Sequence, residues 1–437
     1  MTNHTHNHRT RLVIILGIAT ILSLSGDLTL YTILPVNAGG LPLTLAQIGV
    51  LLSANRFIRL LSNPVTGFLL DRGRRRPVFV YGMLLGTLST LIYANTRLFG
   101  VLLFGRLVWG FAWSFINVGG STMIVDSTGR GDRGRFMGIL NLMVSLGLSI
   151  NPLIGGLLAD SLGFRPTMLF SALLTGAGFL LALTLLPETG PGTIRRTGLS
   201  DPQIRPLPST PGLRTRIWKA IKSLRPRAVG WQIWLAVAIT FIIFFSGNGL
   251  IMATIGRFIS LEMRQGFVIG QTIIGVAALS GIILSLRSLL IALTSPMAGG
   301  FSDRRRTRWP TIMIGLGLGV AGMIALGTLS IIPAILLGIT LTSLCEGVLL
   351  TVLPAIIGDQ AAESQRGRSM GLIFVAGDLG SALAPMIAYS VLALIPLRQV
   401  YLASSGAFGL GLILVVAGLI YSRKRTSQNP PGVDNEI

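Results

Sequence analysis

Charge is scarce in this chain of 437 residues: Asp, Glu, Lys and Arg together make up 12% of it, about half the share of a soluble domain. Lysine is nearly missing, since 33 of the 36 basic residues are Arg. A single cysteine, Cys345, excludes an internal disulfide and leaves the redox compartment unread. The chain has no G-x-x-x-x-G-K-[ST] phosphate loop, no H-E-x-x-H, no zinc-ligand spacing, and no nucleophile elbow or recognisable catalytic triad. Direct use of ATP, a cofactor or metal, and a chemical reaction are therefore not expected. What is abundant is apolar: 51% of the chain is hydrophobic and the mean hydropathy is +0.72. That excludes a soluble enzyme, a disordered chain and a secreted disulfide scaffold, and leaves an integral membrane protein.

A bilayer core takes about 20 apolar residues per helix. Twelve such stretches are present, at 11–35, 45–70, 77–96, 99–125, 136–159, 166–187, 231–256, 267–302, 309–329, 332–358, 369–395 and 399–421. The span 267–302 is too long for one simple crossing, so its first part reads as an extracellular extension or a strongly tilted helix. The first stretch lacks a small-residue cleavage site and runs into Asp27, so it reads as a signal anchor and first helix. Before it, His4, His6 and His8 read as a disordered tail rather than a metal site.

The formal charge of +21 would suggest nucleic acid in a soluble protein. Here it reads as topology. With both termini inside, the cytoplasmic segments hold 27 Lys/Arg and the outer ones five, Arg97, Arg165, Arg257, Arg264 and Arg398. This asymmetry is that of the positive-inside rule. No nucleic-acid partner is expected.

The chain repeats itself. Asp126, Arg133, Gly134, Arg135, Met137 and Gly138 recur 233 positions later as Asp359, Arg366, Gly367, Arg368, Met370 and Gly371. Pro64, Gly67, Asp71 and Arg72 recur 232 positions later as Pro296, Gly299, Asp303 and Arg304, and Pro152 matches Pro385. Between the copies, residues 188–230 are rich in Pro, Gly and basic residues, with Trp218 to Leu224 a candidate surface helix. The expected organisation is an N-terminal six-helix bundle (1–187), a cytoplasmic linker (188–230), a C-terminal bundle (231–422) and a cytoplasmic tail (423–437). Such repeats, with a binding site between them near the midplane, are a transporter architecture.

On these motifs the chain resembles the major facilitator superfamily of secondary transporters over residues 11–422, with a likeness to its drug/proton antiporters. The loop Gly67 to Arg76 is similar to the family's G-x-L-x-D-R-x-G-R-R/K pattern, with Arg74 at the second Gly. The resemblance implies a conformational latch made by Gly67, Asp71, Arg72 and Arg75, echoed by Asp303 and Arg304. Leu102-x-x-x-Arg106-x-x-Trp109-Gly110 resembles the pattern whose Arg is tied to proton transfer. Gly147, Asn151, Pro152, Gly155 and Gly156 resemble the antiporter-associated G-x-x-x-G-P-x-x-G-G, with Asn151 at one Gly position. Small residues there allow close helix approach. The fold expected is an all-α membrane protein of twelve transmembrane helices in two pseudo-symmetric bundles, and the superfamily resemblance favours a monomer.

Seven ionisable residues fall within spans: Asp27, Arg56, Arg59, Arg106, Arg287, Glu346 and Asp378. Such charges are functional candidates by default. By helix rise, Asp27 and Arg56 sit at similar depth in one half, as do Arg287 and Glu346 in the other. A departing Arg would let a buried acid take a proton. Asp27, Glu346 and Asp378 are therefore the proton-coupling acids, the resemblance adds Arg106 to them, and Asp27 comes first because antiporters of this superfamily often carry an acid in the first helix. Arg56, Arg59 and Arg287 suit planar anions through bidentate contacts. With Tyr31 and Trp113 they are the substrate-binding candidates. The leading expectation is proton-coupled efflux of a small amphipathic compound. An importer or exchanger of organic anions is the alternative, and a non-transporting receptor or assembly factor is a third reading from another class.

Overall fold

A computed structural model describes residues 2–39, 42–129, 131–189, 230–263, 266–269, 272–304, 307–328, 331–360 and 366–428. Among them are twelve long helical segments: α1 Thr2–Ile33, α2 Leu45–Arg72, α3 Arg75–Asn95, α4 Phe99–Ser127, α5 Arg133–Leu162, α6 Phe164–Leu185, α7 Trp231–Glu262, α8 Val276–Asp303, α9 Trp309–Thr328, α10 Ile332–Gln360, α11 Arg366–Val391 and α12 Leu397–Gln428. Eleven are long and apolar enough to cross a membrane. The twelfth, α2, has the length but is interrupted by Asn55, Arg56, Arg59 and Asn63. Thr44 and Gln47 cap its start reciprocally, satisfying two backbone donors that the first turn would otherwise leave bare. The linker beyond Thr189, including Trp218 to Leu224, lies outside the described residues.

One expectation is corrected and another is narrowed. The helix of α1 begins at Thr2, so the His4–His8 segment is helical rather than a disordered tail. The stretch before Val276 is not the start of a tilted α8 but an extension outside the helix, the other of the two forms expected for it. Strands β1 (Phe267–Ile269) and β2 (Thr272–Ile274) pair antiparallel, Phe267 opposite Ile274 and Ile269 opposite Thr272. Val268, Ile269, Thr272, Ile273 and Ile274 are β-branched and prefer extended backbone. Gly266 enters the hairpin at φ 79°, where a Cβ would strike the Ile274 carbonyl.

Each half builds its own bundle. In the first, α1 packs on α5 and α6, α3 on α4 and α6, and α2 on α4. In the second, α8 packs on α10, α9 on α10 and α12, and α7 on α10 and α11. The halves meet along two helix pairs, α5 with α8 and α2 with α11.

The α5 sequence shows how one helix serves both contacts. Gly147 and Gly155 face α1, where a Cβ would meet Ile21 and Thr29 respectively, and Asn151 between them donates to the Ile21 carbonyl at 2.9 Å. A quarter-turn away, Gly156 and Pro152 face α8: a Cβ on Gly156 would strike the Ala277 carbonyl, and one on Gly281 the Pro152 carbonyl. Ser149 and Ser285 exchange hydroxyl-to-carbonyl bonds across the same seam. Asp160 accepts from the backbone N–H groups of Ala277 (3.2 Å) and Ala278 (2.7 Å), closing the first turn of α8 from the other half. On the other seam, a Cβ on Gly49 would meet Pro385 O at 2.8 Å, and the Met386 N–H donates to Ser53.

Candidate functional site

Six of the seven intramembrane charges form three ion pairs, and Arg56 is left over. Asp27 of α1 bonds Arg106 of α4, and both side chains are buried. Arg106 is wholly enclosed. Its Nε donates to the Leu51 carbonyl at 2.8 Å, and its guanidinium lies 5.0 Å over the ring of Tyr31. Asn55 donates to Asp27 at 3.5 Å, and the Tyr31 hydroxyl donates to the Leu52 carbonyl at 2.6 Å. The expected match in depth between Asp27 and Arg56 therefore does not make a pair. Helix rotation brings Arg106 rather than Arg56 onto Asp27, and Arg56 lies one turn from Arg59 on α2.

In the second half, Glu346 of α10 bonds Arg287 of α8 as the depths suggested. Asn248 completes the carboxylate, donating at 2.5 Å. Asn248 lies in a π-helical stretch of α7, Phe244–Ile251, which the sequence reading missed. Such stretches cluster at functional positions because the widened turn redirects side chains. Gly247 in the same stretch leaves room for the pair, since a Cβ there would strike both Glu346 and Arg287.

The third pair crosses between the halves. Arg59 of α2 contacts Asp378 of α11 at 2.8 Å, and Asn63 donates to the same carboxylate at 3.3 Å. Ser114 of α4 in turn donates to Asn63 at 2.7 Å. Gly377 and Gly380, on either side of Asp378, let α11 approach Phe244 and the Phe241 carbonyl of α7. Asp378 is thus held by one half while mounted on the other.

Of the substrate-binding candidates, Arg59 and Arg287 are each bonded to a carboxylate and Tyr31 is buried under Arg106. Trp113 is half-buried beside Trp109, ring centroids 6.2 Å apart. Arg56 makes no ion pair with any described carboxylate, and its Nε is buried without a hydrogen-bond partner.

Of the latch candidates, Arg75 and Asp303 are bonded within their own halves. Arg75 donates to Asp126 at 2.9 Å and to the Gly73 carbonyl at 3.1 Å, while its backbone N–H reaches Glu188. Asp303 is bonded by Arg308, which also bonds Asp359; these two carboxylates hold the Arg308 guanidinium above its ordinary pKa. Asp71 and Arg304 are exposed, and a Cβ on Gly67 would meet no described atom within 4 Å. The side chain of Arg72 lies outside the described residues. Asn55, Asn63, Asn248 and Arg308 were not singled out from sequence. Their signal was an amide inside an apolar helix for the first three, and for Arg308 its place 233 residues after Arg75.

Comparison with known proteins agrees with this architecture. The model of the Major Facilitator Superfamily matches residues 16–286 and 249–436. The class C tetracycline resistance protein of Escherichia coli is 26% identical over 379 residues, covering 85% of this chain and 84% of its own. Among solved structures, the human organic anion transporter MFSD10 (TETRAN) is similar at a TM-score of 0.59 and 20% identity, covering 93% and 99% of the two chains. A bacterial homolog to the human lysosomal transporter Spinster, inward-facing and occupied, reaches a TM-score of 0.71 at 15% identity, covering 96% and 97%. The chain belongs to the Major Facilitator Superfamily. It is a multi-pass membrane transporter of small molecules, not an enzyme.

Proposed function

We propose that this superfamily member exports a small amphipathic compound in exchange for protons, by alternating access between bundles 1–187 and 231–422, with both termini on the cytoplasmic face of the plasma membrane. The observation that carries this reading is the Arg59–Asp378 pair. Rocking of the halves must change a bond whose two ends belong to different bundles, whereas Asp27–Arg106 and Glu346–Arg287 can travel intact within theirs. A carboxylate that loses its guanidinium inside a low-dielectric seam is driven to bind a proton. Asp378 is on this argument the group that loads and unloads, ahead of Asp27, while Asp27–Arg106 and Glu346–Arg287 set the field around it. Similarity to a tetracycline resistance protein supports a drug-sized cargo leaving the cell. The Arg-rich segments next to α2, α4, α8 and α12 support the cytoplasmic placement.

The test is a substrate-evoked pH change in proteoliposomes holding an imposed proton gradient, challenged with matched lipophilic cations, organic anions and uncharged amphiphiles. Exchange predicts that a transported compound collapses the gradient and that a protonophore abolishes its uphill movement. Uphill transport untouched by the protonophore would refute proton coupling.

A further inference from the structure

The four intramembrane arginines face three carboxylates, and the pairing leaves one guanidinium over. Arg106 takes Asp27, Arg59 takes Asp378 and Arg287 takes Glu346. We propose that the remaining one, Arg56, is the seat for an acidic group on the transported compound, so that the cargo carries a carboxylate or an equivalent monoanion on an apolar body. This deepens the transporter reading above and rests on it.

Three features argue for it. First, Arg56 stands between the halves: it lies one helical turn from Arg59, close to Tyr31 of α1, and in the field of Asp27, Asp378 and Glu346 from both bundles. Second, it has donors to spare. Its Nε is buried and unbonded, as are those of Arg59 and Arg287, but of the three only Arg56 has no carboxylate partner among the described residues. A buried donor left unmet costs free energy, and an incoming carboxylate removes that cost while forming a charge-assisted bond. Third, the charge balances. The seven embedded groups sum to one net positive charge in their ionised forms, which a single monoanion cancels. A second charge on the cargo would find Arg59 and Arg287 already engaged. Trp113 of α4 and Phe245 of α7 are half-buried, one aromatic side chain from each half. The reading narrows the anion site from three arginines to one.

The experiment measures equilibrium binding to the purified protein in nanodiscs, without a proton gradient, by quenching of tryptophan fluorescence. The probes are aromatic carboxylates, beginning with 1-naphthaleneacetate, each paired with its primary amide. Wild type is expected to bind at least one acid about tenfold or more tightly than its amide, the effect of one charge-assisted contact. Arg56→Gln is expected to erase that preference. Arg56→Lys, which keeps the charge but not the planar fork, is expected to retain it at weaker affinity and serves as the folded control. Parity between every acid and its amide in wild type overturns the proposal. So does an acid preference that survives in Arg56→Gln; if that variant then loses proton coupling alone, Arg56 is a relay partner rather than a cargo site. Because binding is read without a gradient, absence of proton exchange leaves this result standing, and the reverse also holds.

Discussion

Arg75 and Arg308 stand 233 residues apart and make the same bond: the Nε of Arg75 donates to Asp126 at 2.9 Å, and the Nε of Arg308 to Asp359 at 2.6 Å, the two acids being 233 residues apart as well. Each arginine lies at the start of the third helix of its half and each acid at the end of the fourth. The internal repeat is therefore a repeat of an electrostatic clamp as well as of sequence. Removing one acid leaves an arginine at a helix start, where its charge opposes the dipole. Asp126→Asn and Asp359→Asn are each expected to slow transport. Exchanging the charges, as Arg75→Asp with Asp126→Arg, is expected to recover part of the rate. Initial-rate uptake in proteoliposomes decides it, and a swap no better than the single variants would count against a paired role.

The Asp27–Arg106 pair sets a second expectation. Arg106 is fully enclosed, so Asp27→Asn leaves an uncompensated buried charge, at a cost of about 3–5 kcal/mol for a broken buried pair. Asp27→Asn with Arg106→Gln is expected to be more stable than Asp27→Asn alone. Thermal unfolding of the purified proteins gives the comparison, and strict additivity of the two losses would show that the pair contributes no coupling.

Gly247 gives a third. A methyl group there meets Glu346 and Arg287 together, so Gly247→Ala is expected to displace the pair and reduce transport several-fold. Gly134→Ala is the control, because a Cβ there meets no described atom within 4 Å. Equal rates for both variants would mean that the site near Asn248 tolerates displacement.

The seam between α5 and α8 gives a fourth. Ser149 and Ser285 exchange hydroxyl-to-carbonyl bonds, so cysteines at both positions, with Cys345→Ser, are expected to cross-link on mild oxidation. If the halves rock about this seam, cross-linking stops transport and a reductant restores it. Full transport by the cross-linked protein would show that the seam need not open.

Much of the fold was legible because a helix crossing a bilayer must be long and apolar, and the repeated Asp, Arg, Gly and Pro positions marked the two halves. The hairpin at 267–274 was hidden because its β-branched residues are as apolar as a helix. For the same reason the π-helical stretch of α7 left only the Gly247-Asn248-Gly249 run as a trace. Depth along a helix located the embedded charges and matched Arg287 with Glu346, but it did not give the partners of Asp27 and Asp378. Partnership depends on rotation and on neighbouring helices, which is why Arg106 rather than Arg56 meets Asp27, and why Asn55, Asn63 and Asn248 went unread.

The most direct measurement counts protons moved per substrate in wild type and in Asp378→Asn, by pH-indicator and substrate flux in the same vesicles. If the pair between Arg59 and Asp378 is the exchange device, Asp378→Asn still binds and equilibrates substrate but moves no protons with it. Unchanged proton movement in Asp378→Asn would contradict that assignment.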